Sequence, residues 1–202
     1  MHSETRLLAG GMTMLSIATG ALVVIPYLTV RDATPLEGLK PYTSAELRGR
    51  QVYIANGCVY CHSQQPRARS FAPDTERGWG RASVAGDYAY DTPHLLGTMR
   101  TGPDLFNIGA RQPSEQWHLG HLYQPRAYAP DSIMPSYPYL FEAKDKVDPG
   151  DVEVMLPSGF APPGKVIVAS HEALDLVAYM KALDHGYPVL QAQPQPAAAA
   201  SR

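Results

Sequence analysis

Cys58, Val59, Tyr60, Cys61 and His62 constrain this chain more than any other stretch: two cysteines three positions apart, with a histidine directly after the second. That spacing is the attachment pattern of a c-type haem. On one turn of helix, two thiols so placed reach the two vinyl groups of one porphyrin, and the following imidazole projects onto the iron. The competing readings of a close cysteine pair are weaker. A structural zinc site takes four ligands, and the chain has no other cysteine. A thioredoxin-like dithiol needs a strand and helix frame, and the residues before Cys58 do not read that way. The expectation is one covalently attached haem c on Cys58 and Cys61, with His62 as its axial ligand. No thiol is then left for a disulfide, so the porphyrin itself becomes part of the core.

Composition narrows the rest. Lysine plus arginine total 17 against 19 aspartate plus glutamate, which argues against a nucleic-acid partner, since such a binder carries a basic face. The 19 prolines and 17 glycines in 202 residues predict long ordered loops between helices.

Residues 7–30 form an uncharged, mostly apolar run between Arg6 and Arg31. As a helix it spans about 36 Å, enough to cross a bilayer core. A cleaved secretory signal has a shorter apolar region behind a basic leader, whereas here only Arg6 stands against Glu4. Residues 1–31 are therefore expected to be a retained single-pass anchor. Ser16 and Gly20 make a small-x-x-x-small pair that lets another membrane helix approach. Flanking charge gives no orientation, but covalent haem attachment is extracytoplasmic in bacteria. The expected location is the bacterial inner membrane, with the haem domain in the periplasm.

Residues 32–42 carry Pro35, Gly38 and Pro41 and read as a linker. Thr43 with Glu46 makes a capping box, so a helix is expected from there to about Asn56, stopped by Gly57. Near the other end Ser170 is a cap, Glu172 suits the first turn, and Leu176, Tyr179, Met180 and Leu183 recur at helical spacing before Gly186 and Pro188. Together with the haem motif the two helices resemble the crossed terminal helices of a class I cytochrome c, with Gly49 at the crossing. On that resemblance Thr101 to Leu105 is the segment whose proline carbonyl, here Pro103, accepts a hydrogen bond from the proximal imidazole. Met134 falls where the methionine loop supplies the sixth ligand. Met99, Met155 and Met180 sit in other contexts, and His94, His118, His121, His171 and His185 are the alternative ligands. Arg67, Arg69, Arg77, Arg81, Arg100, Arg111 and Arg126 give the region a basic bias, and one or two of them suit the haem propionates. Trp79, Trp117, Tyr123, Tyr137 and Tyr139 are expected mainly as core packing.

Residues 43–190 are expected to be the cytochrome c domain, with 142–169 as an insertion. Within it residues 152–156 and 165–169 read as a small β-hairpin around Pro157, Gly159, Pro162 and Gly164. The tail, 191–202, is low-complexity and is expected to be disordered or partner-bound. The fold class is mainly α: one transmembrane helix, then a class I cytochrome c domain with long ordered loops.

From about residue 36 to 140 the chain resembles the mono-haem cytochrome c subunit (subunit II) of cbb-type, or C-family, haem-copper oxidases. The words that carry this are GLKPYTSAELRGRQVYI, CVYCHSQ, SVAGDYAYDTP, RTGPDL, WHLGHLYQPR and SIMPSYPYL, in that order. The resemblance implies an anchored, periplasmic, histidine-methionine haem that takes electrons from a donor cytochrome c. It passes them to a haem-copper oxidase catalytic subunit that sits with other membrane subunits and reduces oxygen to water. Substrate chemistry then belongs to the partner, and this chain is a non-catalytic electron-transfer subunit. At Gln65 to Ala68 the chain departs from the family's usual methionine, isoleucine, arginine and proline. Other readings are a stand-alone membrane cytochrome c, the small subunit of a nitric oxide reductase-like complex, and a haem sensor with an open sixth position.

Overall fold

A computed structural model describes residues 2–189, so the expected tail lies outside the described residues. The apolar N-terminal segment is one continuous helical rod, Ser3–Val30, long and apolar enough to cross a membrane. It comprises α1 (His2–Thr19), one wider π turn (Gly20–Val24) and α2 (Ile25–Val30). The Ile25 amide donates to the Gly20 carbonyl, five residues back. The physical cause is Pro26, which has no amide and whose ring would press on the carbonyl one turn earlier; a π turn is one way a helix absorbs it. Leu7, Leu8, Met12, Leu15, Leu22 and Ile25 stand exposed along the rod.

The linker does not hang free. A side chain at Gly86 would overlap the Thr34 carbonyl, one at Gly38 would press on Tyr187, and the Tyr42 ring lies 5.7 Å from that of Tyr179. The stretch between rod and haem motif is thus laid along the globular part.

The expected helices form where their caps put them. In α3 (Ser44–Ala55) the Thr43 side chain accepts from the Glu46 amide while Glu46 reaches back to the Thr43 amide. Asn56 closes the helix, and Gly57 takes the left-handed conformation (φ 67°) that turns the chain into Cys58. In α6 (His171–Ala182) the Ser170 side chain accepts from the Ala173 amide. The two helices cross at Gly49, where an added methyl would overlap the Asp175 carbonyl. Tyr53 and Tyr179 are buried there edge to face, 5.6 Å apart, and Arg48 grips Asp175 through two hydrogen bonds of 2.7 and 2.8 Å.

Between them run long loops, the short α4 (Ile108–Arg111) and α5 (Glu115–Tyr123). The core joins Tyr53, Ile108, Leu119, Leu122, Leu176, Val177, Tyr179 and Leu183. The sheet differs in detail from the expected hairpin. Strand β2 (Val166–Ala169) forms as read, but its regular antiparallel partner is β1 (Phe141–Lys144), in register Phe141 with Ala169. Residues 152–154 lie on β2's other edge, through a single bridge of Glu153 with Val168 and the bonds Val154 N to Ile167 O and Ala169 N to Val152 O. Burial of Phe141, Val154 and Ile167 in the same core decides this: β2 is covered on both edges rather than one.

Candidate haem site

After Gly57 the chain makes one tight turn, Cys58–Tyr60, in which the Cys61 and His62 amides both donate to the Cys58 carbonyl. Both cysteines are free thiols; Cys58 is half-buried, and burial pushes its thiol up to about 11. His62 follows, and its Nδ1 lies 2.7 Å from the Pro103 carbonyl oxygen. A carbonyl only accepts, so Nδ1 carries the proton and Nε2 keeps its lone pair. Burial, more than the nearby Arg111 guanidinium, holds the His62 pKa below the ordinary imidazole value, so the ring is neutral. Gly102 is required against it, because a methyl there would overlap the ring. Two thiols, a neutral imidazole with one free nitrogen, and a backbone pared to glycine beneath it are therefore brought together on one turn and one loop.

Met134 is half-buried in the same apolar cluster as Cys58, Val59 and Leu105. Its loop is fastened on two sides. Arg126 donates to the Ser132 and Met134 carbonyls at 2.9 and 3.2 Å, the Tyr137 amide donates to the Leu122 carbonyl, and the Tyr139 hydroxyl reaches Asn56 at the end of α3. Of the alternative histidines, His118 and His185 are committed to the Gln112 and Phe106 carbonyls, while His94 and His171 are exposed.

The arginines separate clearly. Arg69 pairs with Glu76, Arg81 with Asp87 and Arg100 with Asp74; Arg77 lies over the Trp79 ring at 4.9 Å. Arg111 is different: it donates to the Asp104 carbonyl, but its Nε is buried without a partner. A buried guanidinium nitrogen left unpaired costs on the order of 1–3 kcal/mol, which an anionic group beside His62 would recover. A haem carries such groups as propionates. Sequence named Arg111 only as one of seven; its buried, unpaired Nε, which no local pattern reports, separates it. His121, named from sequence only among the alternative ligands, stacks its ring on Trp117 at 4.6 Å and keeps its Nδ1 buried and unpaired. The donor set, the glycine cradle and the unpaired Arg111 nitrogen together fit a haem.

A family model of the cytochrome c oxidase mono-heme subunit, FixO, matches residues 2–158. The chain belongs to that family. Its members are haem-containing, membrane-bound electron-transport subunits of cbb-type oxidases, as the sequence words implied, and the rod supplies a helix suited to the bilayer. The match ends before β2 and α6, so the helix that crosses α3 lies outside it. No curated protein matches the chain.

Two buried histidines and one half-buried one also set an acid limit. His118, His121 and His185 are held below the ordinary imidazole value of 6.5, His121 at about 4, in each case chiefly by burial. The unfolded chain then binds protons that the folded one does not. Stability is expected to fall as pH drops from about 6.5 towards about 4. Thermal melts of the detergent-solubilised chain check this: His121→Asn should flatten the dependence, and an unchanged slope would assign it to other groups.

Proposed function

We propose that this chain is the electron-entry subunit of a cbb-type oxidase, carrying a single haem c that accepts electrons from a donor cytochrome c and delivers them to the haem-copper catalytic subunit. The observation that carries the reading is the His62 to Pro103 hydrogen bond on the CVYCH turn, because it directs a lone pair outward and raises its basicity. Cys58 and Cys61 would hold the porphyrin by thioethers, His62 Nε2 and the Met134 sulfur would ligate its iron, and Arg111 would meet a propionate. When bound, the haem supplies a one-electron couple, and histidine-methionine ligation raises its potential towards that of an electron carrier. The protein's own contribution is positional. Pro103 fixes the imidazole, Arg126 and the Tyr137 amide hold the methionine loop, and the α3 and α6 crossing closes the apolar wall. The anchor places this assembly at the inner membrane with the haem domain on the periplasmic side.

Met134 is tested through the ferric spectrum. The native protein should show the far-red sulfur-to-iron charge-transfer band, and Met134→Ala should lose it while the haem stays attached. A band that persists in the variant would move the sixth ligand elsewhere. Gentle detergent extraction tests the partner: comigration with a large subunit bearing haem b and copper is expected, and migration alone would favour a stand-alone carrier.

A further inference from the structure

The segment that leaves the haem motif and the loop that carries Pro103 are stitched together by one carboxylate. Asp104 is fully buried. Its Oδ2 accepts from the Ser63 hydroxyl at 2.6 Å and from the Gln65 amide at 2.8 Å, and its Oδ1 accepts from the Phe106 amide at 2.9 Å. Each of these neighbours donates, which is the pattern of an ionised carboxyl. Ser63 is free to donate because its oxygen already accepts from Arg100 Nε at 3.1 Å. The same guanidinium bonds Asp74 at 2.7 Å and the Gln65 carbonyl at 2.7 Å, and lies 3.7 Å from Asp104. Two main-chain bonds, Gly102 N to Cys61 O and Leu105 N to Ser63 O, complete the seam.

We infer that Asp104 is a positioning residue for the proximal ligand: by tying Ser63 and Gln65 to its own loop, it sets the His62 to Pro103 hydrogen bond and thereby the reduction potential of the haem. Ser63 directly follows His62, and Pro103 directly precedes Asp104. The Ser63 to Asp104 bond therefore closes a short ring of chain around the imidazole and its acceptor. A hydrogen-bond acceptor behind a ligating imidazole makes it a stronger donor to the metal, which favours the oxidised iron, as does a nearby negative charge. Loss of Asp104 acts in one direction through both routes, and loss of the Ser63 hydroxyl acts through the first alone. The seam also accounts for the departure at Gln65 to Ala68. It engages that stretch through the Gln65 amide and carbonyl and the Arg67 amide, which bonds Asp74. The Gln65, Arg67 and Ala68 side chains are exposed and can change while the path is kept, whereas Pro66 is buried.

The inference rests on His62 being the proximal ligand, and the experiment separates the two. The full-length haem-bearing chain is purified in its membrane complex, its c-type band is titrated against potential, and its ferric low-spin EPR spectrum is recorded. Asp104→Asn is expected to favour the reduced form about tenfold at fixed ambient potential, an upward shift of about 59 mV. Ser63→Ala should shift the same way by less, with altered g-anisotropy, and Ser63→Thr, which keeps the hydroxyl, should restore the native values. Should Asp104→Asn fail to accumulate, the serine pair decides alone. Unchanged potential and EPR in Ser63→Ala, even with a lowered melting temperature, would leave Asp104 a purely structural residue and overturn the inference. An unchanged native spectrum in His62→Ala would instead overturn the ligand reading beneath it.

Discussion

A chain carrying Cys58→Ser and Cys61→Ser is expected to show no haem after denaturing electrophoresis, whereas the native chain stains for haem at its own mass. The argument is geometric and energetic together. The two thiols are the only ones in the chain, they flank one tight turn, and the same turn starts the His62 to Pro103 contact. Serine preserves the turn, so any loss reports the missing bonds rather than a broken backbone. Tyr53, Leu105 and Met134 belong to the apolar cluster that includes Cys58, so the variant also loses a partner for its core, and its accumulation in membranes should fall several-fold. His62→Ala gives a different signature: haem remains attached but the low-spin spectrum is lost. Haem staining that survives the double serine change would exclude thioether attachment at this motif.

The second large effect belongs to Gly49. Glycine inside a helix costs roughly 1 kcal/mol against alanine, so on propensity alone Gly49→Ala should stabilise. The crossing reverses the sign. A methyl group there would overlap the Asp175 carbonyl and press on Tyr179, and neither α3 nor α6 can retreat without separating Tyr53 from Tyr179 and breaking the Arg48 to Asp175 pair. Overpacking of this kind costs about 3 kcal/mol, more than the propensity gain. Gly49→Ala should therefore lower the melting temperature of the solubilised protein and Gly49→Val should prevent accumulation. A melting temperature raised by alanine would mean that the helices cross elsewhere.

What could be read from the sequence was local and periodic. Thr43 with Glu46, Ser170 and Gly57 act within a few residues of themselves, so their roles were visible before any fold was known. Gly49 and Pro103 were legible through the cytochrome c resemblance, since nothing adjacent to either residue names its distant partner. The site's remaining features depend on chain separations no window spans. Asp104 meets Ser63 across 41 residues, and Arg111 stands out only through its buried, unpaired Nε. The strand pairing was legible only in part: residues 152–154 do bond β2, but Phe141 to Lys144, four residues long and too short to show an alternation, takes β2's other edge by burying Phe141. The π turn before Pro26 likewise follows from a proline whose effect sequence could locate but not shape.

The docked linker sets a limit on motion. A redox domain on a slack tether searches for its partner, and its encounter rate depends on tether length. Here Thr34, Gly38 and Tyr42 lie against Gly86, Tyr187 and Tyr179, which leaves little slack between Val30 and the globular part. On the proposed function, the height of the CVYCH turn above the bilayer would be set by the chain as by a strut, and lengthening residues 31–34 would change that height more than any contact within the domain.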